Sequence, residues 1–194
     1  MQPADEILAN RAKSGSLEAF ETLLARHEAR IFRFILLQTG DYHDAQDLTQ
    51  EVFVRAWQRI HRYSDRYAFE TWLFTLTRRA VASKYRRRSR NRERTGIEPE
   101  ARDRATAEAD PLARLEKRDA AARLWHRLRE LLKPAVYQAI WLTYQEDMSV
   151  KDVARVLGKS ESAVKVLLFR ARKQIAASIS NETDAAGRPP SARA

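Results

Sequence analysis

The chain has 194 residues, with 36 Lys plus Arg against 26 Asp plus Glu, four His and no Cys. That length allows one or two domains, and 44% hydrophobic residues with five Gly and six Pro exclude wholesale disorder and a collagen-like fibre. The absence of Cys excludes disulfide scaffolds, thiolate zinc sites and cysteine nucleophiles, and a net charge of +10 predicts a polyanionic partner, either nucleic acid or an acidic membrane surface.

The first residues, MQPADEILANRAKSGSLEAF, contain no basic start followed by an apolar run, and no run of about eighteen apolar residues occurs, so a soluble cytoplasmic protein is expected. His27, His43, His61 and His126 lie too far apart for a histidine metal site, and no cofactor or metal is expected.

Apolar residues recur at helical spacing almost throughout, with no strand-like alternation, which predicts an all-α protein of two small helical domains. The first long helix is predicted over 17–37. Phe20, Leu23, Leu24, Ile31, Phe34 and Ile35 form its inner stripe, Ser16 is its N-cap and Gly40 its stop. A second is predicted over 41–61, burying Ala45, Leu48, Val52, Phe53, Ala56, Trp57 and Ile60 and presenting an acidic, polar opposite side. A loop, 62–68, leads to a third helix over 69–88, with Trp72, Leu76, Ala80 and Tyr85 pointing inward.

Between residues 89 and 110 Ile97 is the only large aliphatic side chain, which predicts a charged flexible linker. Asp110 and Pro111 read as an N-cap and a first-turn proline. Leu112, Leu115, Leu124, Leu128, Leu131 and Leu132 would supply the first buried stripe of the second domain, and Pro134 would restart its helix. The expected division is a first domain over 1–94, a linker over 95–110, a second domain over 111–180 and a disordered tail over 181–194.

Residues 149–176 have the layout of a helix-turn-helix. Ser149 with Asp152 forms a capping-box-like start, Val153, Ala154 and Leu157 face inward, Gly158 permits a left-handed turn and Ser160 caps the next helix. Val164, Leu167, Leu168, Ala171 and Ile175 share one face of that helix, and Ser162, Lys165, Val166, Phe169, Arg170 and Lys173 share the other. An ordinary amphipathic helix with solvated lysines would look similar, but cap, glycine turn and basic outer face coincide here. Lys165 is therefore the expected major-groove reader, with Arg170, Arg172 and Lys173 as phosphate contacts.

In the first half, Asp44, Asp47 and Glu51 follow spacings of three and four and form an acidic strip on one helix face. Such a strip could hold a divalent metal for phosphoryl chemistry, but no Gly-rich loop or base completes that set, and docking of a basic partner is the better reading. Tyr63, Tyr67 and Phe69 sit in or beside a loop ahead of a helix ending in KYRRRSRNRER, where aromatics can stack on unpaired bases while cations track a backbone. Trp57 and Trp72 fall on apolar stripes and are expected to pack in the core. The run 84–94, with seven cations and one acid, lacks the apolar face of a membrane-surface helix, so DNA phosphate is its expected partner.

The run Asp44-Ala45-Gln46-Asp47-Leu48-Thr49-Gln50-Glu51-Val52-Phe53, followed by Ala56-Trp57 and Phe69-Glu70-Thr71-Trp72-Leu73-Phe74, resembles region 2 of bacterial sigma factors of the extracytoplasmic-function (ECF) group. The helix-turn-helix is similar to their region 4, and the two resemblances cover about 17–88 and 112–178. The resemblance implies a non-enzymatic subunit that binds core RNA polymerase, recognises promoters and assists strand opening, often in stress-responsive transcription and under an anti-sigma factor.

It implies polymerase contacts at Asp44, Asp47, Leu48, Gln50, Glu51 and Phe53. Contacts to the melted minus-10 strand would come from Tyr63, Tyr67, Phe69, Arg78, Arg79, Lys84 and Arg86. Contacts to the duplex minus-35 element would come from Ser160, Ser162, Lys165, Phe169, Arg170, Arg172 and Lys173. Many members carry Asn where this chain has Arg79 and Asp where it has Ser83. Two rival expectations are an operator-binding regulator, which needs no acidic strip, and a metal-dependent nuclease built on Asp44, Asp47 and Glu51.

Overall fold

The computed structural model describes residues 3–95 and 120–186, which are all-helical and without a strand. The first group comprises α1 (Asp5–Lys13), α2 (Leu17–Thr39), α3 (Tyr42–Arg59) and α4 (Phe69–Thr95), with a single 3₁₀ turn at Ile60–Arg62. The second comprises α5 (Ala120–Leu131), α6 (Pro134–Ile140), α7 (Val150–Leu157) and α8 (Glu161–Ala186). A wider π turn, Trp141–Gln145, continues α6.

Local chemistry sets most boundaries. Ser16 Oγ accepts the Ala19 N–H at 3.3 Å, and Asp41 Oδ1 accepts the Asp44 N–H at 2.8 Å. Gly40 closes α2 at φ 70°, a left-handed conformation that costs a residue without Cβ nothing. Pro134 occupies the first turn of α6, where its missing N–H has no partner to lose. The short helix α1, which periodicity did not single out, places Asp5 and Glu6 in its first turn and Arg11 and Lys13 in its last, matching the helix dipole at both ends.

Four expectations are corrected, the fourth being the burial of Leu124 and Leu131. Helix α4 continues to Thr95 instead of stopping at Arg88, because Arg and Glu are good helix formers and no glycine or proline intervenes. Tyr85 is exposed, its hydroxyl donating to the Gln38 carbonyl at 2.6 Å. Helix α8 runs to Ala186, so the segment expected as a tail begins helical.

In α5 the inner stripe is Trp125, Leu128 and Leu132, while Leu124 and Leu131 are exposed on its flanks. Trp125 decides that rotation by packing edge-on to Trp141 at 4.7 Å. Asp110, Pro111, Leu112, Leu115, Ile97 and most of the expected linker lie outside the described residues.

The first core joins α1 to α4 around Leu23, Ile31, Phe34, Leu48, Val52, Leu73 and Phe74. Phe34 meets Phe74 edge to face, ring centroids 5.2 Å apart. Trp57 packs on Phe20 and Trp72 on Phe69, as their apolar stripes predict. The second core joins α6, α7 and α8 through Tyr137, Ile140, Leu142, Val153, Leu157, Val164 and Leu168. The groups also meet each other, chiefly where α7 lies on α4.

Candidate nucleic-acid and polymerase interfaces

The helix-turn-helix is built by paired caps. Ser149 Oγ accepts the Asp152 N–H at 3.1 Å and donates to the Asp152 carboxylate at 2.5 Å. Gly158 turns the chain at φ 62°, and Ser160 Oγ accepts the Ala163 N–H at 3.2 Å to start α8. Val153, Ala154, Leu157, Val164, Leu168 and Ala171 are buried together, which fixes the rotation of α8. That rotation leaves Ser160, Ser162, Lys165, Phe169, Arg170, Arg172 and Lys173 exposed. Phe169 is 66% exposed and Val166 47%, so the outward face offers apolar surface between its cations. A face of this make-up can meet a thymine methyl, a base edge and phosphates at once.

On α3 the acidic strip divides by partner. Lys84 Nζ lies 2.7 Å from Asp44 and Arg88 4.0 Å from the same carboxylate, so Asp44 ties α3 to α4. Glu51 pairs with Arg55 one turn on. Asp47 and Gln50 are exposed. A groove of about 190 Å³ runs between α3 and α4, lined by Asp47, Glu51, Arg55, Lys84 and Arg87. Leu48 and Phe53, expected as polymerase contacts, are instead buried and hold α3 in the core; Leu48 reaches the floor of that groove, whereas Phe53 does not line it. With Asp44 and Glu51 already met by protein cations, the nuclease reading loses the open carboxylates that it needs.

The loop over 63–68 corrects two further expectations. Tyr63 is 2% exposed and Phe69 1%, and both rings pack with Trp72 in the core. They cannot stack on a base without unfolding the loop. Burial first, then the charges of Glu6, Asp65 and Asp5, push the Tyr63 phenol up to about 12, so it stays a neutral donor. Its hydroxyl donates to the Tyr67 carbonyl at 3.0 Å. Tyr67 is half-buried, and the Arg155 guanidinium from α7 covers its ring, 3.0 Å from the ring centroid.

The basic contacts also separate. Arg79 and Arg86 are exposed. Lys84 is engaged by Asp44. Arg78 lies in the seam between the two helical groups, where burial above all, then the nearby Arg79 charge, lowers its pKa. Its guanidinium also lies close to Gly158, and it lines a cleft of about 580 Å³ with Leu37, Val81, Tyr85, Arg129 and Tyr137. Arg78 is thus an inter-group residue here and not part of an outward DNA face.

Sequence reasoning missed the ties across that seam. Arg30 on α2 donates to Glu146 at 2.7 Å and to Glu70 at 2.9 Å, and Trp141 Nε1 donates to the other oxygen of Glu146 at 2.9 Å. Gln138 donates to Gln38 at 2.6 Å. A carboxylate and a guanidinium more than a hundred residues apart carry no shared local pattern. Among the described residues no helix is long and apolar enough to cross a membrane.

A region 2-like helical group followed by a region 4-like helix-turn-helix defines the two-module class of sigma-70 proteins. The Sigma-70 region 2 family model matches residues 23–91, and the Sigma-70, region 4 model matches residues 122–175. The ECF sigma factor BldN of Streptomyces coelicolor is 32% identical over 171 residues, 87% of this chain and 63% of BldN, so this chain spans under two thirds of that relative. The RNA polymerase sigma-H factor of Pseudomonas aeruginosa is 26% identical, with 90% and 93% of the two chains covered. The solved structure of CnrH in complex with the cytosolic domain of CnrY superposes with a TM-score of 0.67 at 28% identity, covering 92% of this chain and 99% of CnrH. The chain belongs to the sigma-70 family, and it is similar to ECF members of that family.

Proposed function

We propose that this chain binds core RNA polymerase, directs it to specific promoters and assists strand opening, acting as a dissociable subunit in the cytoplasm and not as an enzyme. The observation that carries this reading is the pairing of two surfaces in one chain. One is the helix-turn-helix face with Lys165, Phe169, Arg170 and Lys173 outward. The other is the α3 strip with Asp47 and Gln50 outward.

An operator-binding regulator would use the first surface and leave the second without a role. In the proposed division, 1–94 engages polymerase and the minus-10 strand, 95–110 links, 111–180 engages the minus-35 duplex and 181–194 is a tail. Minus-10 contacts are assigned to Tyr67, Arg79 and Arg86, with Tyr67 uncovered when Arg155 leaves its ring and Lys84 freed from Asp44 when phosphate competes. An anti-sigma factor belongs to the same reading, supported by the structure of CnrH solved bound to the cytosolic domain of CnrY.

The test is run-off transcription with purified core enzyme on a genomic promoter library. Start-site-specific product should need both components. Product from core alone, or magnesium-dependent DNA cleavage by this chain without polymerase, would overturn the proposal.

A further inference from the structure

Helix α1 lies behind the loop that carries Tyr67 and holds both of its ends. At the first end the Lys13 ammonium donates to the Tyr63 carbonyl at 3.0 Å. At the second, Asp5 Oδ2 is 2.6 Å from Nε2 of the buried His27, whose ring packs 5.5 Å from that of Phe69, the first residue of α4. Arg26 donates to the other oxygen of Asp5 at 2.6 Å and to the Pro3 carbonyl at 2.8 Å, which ties the start of α1 to α2. Leu8, Ala9 and Ala12 are buried beneath, and α1 packs on both the 3₁₀ turn and α4.

These contacts form one continuous frame. Lys13 fixes the carbonyl of Tyr63, the Tyr63 hydroxyl bonds the Tyr67 carbonyl across the loop, and the Asp5 to His27 contact backs the ring of Phe69. Between the anchors Ser64, Asp65 and Arg66 are exposed and Tyr67 is half-buried. A loop that must catch an unstacked base works best when it is ordered beforehand, because ordering it on arrival costs conformational entropy. Charge-assisted bonds to a loop hinge do this at little cost in side-chain packing.

We propose that α1 is the element that positions the strand-opening loop, with Lys13 and Asp5 as positioning residues that act through Tyr63 and through His27 and Phe69. The proposal rests on reading the chain as a sigma factor, and it adds a role for a helix that lies outside the region 2 match, which begins at residue 23. Lys13 is exposed, so its replacement removes the hinge bond and leaves the core intact.

Two measurements test it with the full-length chain. In hydrogen exchange on the protein alone, Lys13→Met should speed exchange of the amides over 64–68 by roughly fivefold to tenfold, the scale of one partly exposed hydrogen bond, without changing those of α2. Lys13→Arg should restore most of that protection. Unchanged loop exchange in Lys13→Met overturns the proposal, whether or not the chain proves to be a sigma factor.

The second measurement uses holoenzyme and a duplex that the wild-type holoenzyme has selected from a random library. Failure of that selection counts against the sigma reading, while the exchange result still decides the loop. On the selected duplex, Lys13→Met and Asp5→Asn should keep core affinity and closed-complex affinity within about twofold and lose permanganate-reactive open complex by roughly fivefold to tenfold. Open complex at the wild-type level overturns the proposal. So does an equal fall in closed-complex affinity and opening, which is the signature of general loosening.

Discussion

Arg30 and Glu146 form an ion pair at 2.7 Å that joins α2 of the first helical group to the segment ahead of α7 in the second. Glu146 is 6% exposed, and its second oxygen accepts the Trp141 indole N–H, so the carboxylate is fully used. Burial alone would lower the Arg30 pKa, but its bonds to Glu146 and Glu70 outweigh that and raise it, so the guanidinium stays charged. Glu146→Gln keeps the shape and an acceptor for Trp141 but removes one of the two carboxylate charges that Arg30 faces, leaving only Glu70 in its own helical group. The seam should loosen by about 1–3 kcal/mol. Because the chain has no Cys, dyes on Glu21→Cys and Lys151→Cys, both exposed positions, report the distance between the groups cleanly. The distance distribution should broaden in Glu146→Gln; an unchanged distribution would show that the pair does not hold the seam.

The loop aromatics give a second expectation. Tyr63→Ala and Phe69→Ala each remove a fully buried ring and should cost about 3–5 kcal/mol in urea unfolding, whereas Tyr67→Ala should cost under about 1 kcal/mol. Arg155→Ala should uncover Tyr67 and raise its nitration by tetranitromethane, read by mass spectrometry. Equal stability losses for all three aromatic variants would contradict the division into two core residues and one surface residue.

The contrast between these aromatics also shows what was legible beforehand. Ser16, Gly40, Ser149, Gly158 and Ser160 were readable because caps and left-handed turns depend on neighbours only a few residues away. The outward face of α8 was readable from periodicity, because one buried stripe fixes the opposite side. Burial of Tyr63 was not readable, since its ring packs on Phe69 and Trp72 across an irregular loop, where no helical period applies. Leu48 and Phe53 fell within a motif and on an apolar stripe at once, and for them the stripe prevailed. Arg78 and Arg155 lie where the groups meet, a relationship with no local pattern behind it.

On α3, partner binding and internal bracing separate by residue. Asp47→Lys should weaken binding to core polymerase while leaving thermal stability within about 0.5 kcal/mol, as for an exposed surface charge. Asp44→Ala should instead release Lys84 and Arg88 and reduce stability by up to about 1 kcal/mol. Titration of labelled core enzyme with each variant, beside thermal melts, separates the two. Undiminished core affinity in Asp47→Lys would remove this residue from the docking surface.

On α8, Lys165→Ala should alter the ranking of upstream elements by about 1–3 kcal/mol, whereas Lys173→Ala should weaken all sequences alike and flatten the salt dependence. Competition binding across single-base variants of a selected element distinguishes them. A uniform loss for Lys165→Ala would make it a phosphate contact.

The last expectation concerns Asp5 and pH. Its burial alone would raise its pKa, but hydrogen bonds from Arg26 and His27, followed by their charges, outweigh that and hold the carboxyl below its ordinary 3.8. A carboxylate with a depressed folded-state pKa contributes stability that is present above the unfolded-state value and is lost as pH falls through the folded-state value. Wild type should therefore exceed Asp5→Asn in stability at pH 5, by a margin on the order of 1 kcal/mol for a partly exposed, hydrogen-bonded pair. Below about pH 4 the margin should shrink as the Asp5 carboxylate takes up its proton. Asn retains a carbonyl acceptor for Arg26 or His27, so the pH-dependent part reports the charge and not the shape of the side chain. Urea unfolding of both proteins at half-unit pH steps gives the margin directly. A margin that stays level from pH 7 down to pH 2 would mean that the carboxylate contributes packing alone, and that Arg26 and His27 do not hold α1 through its charge.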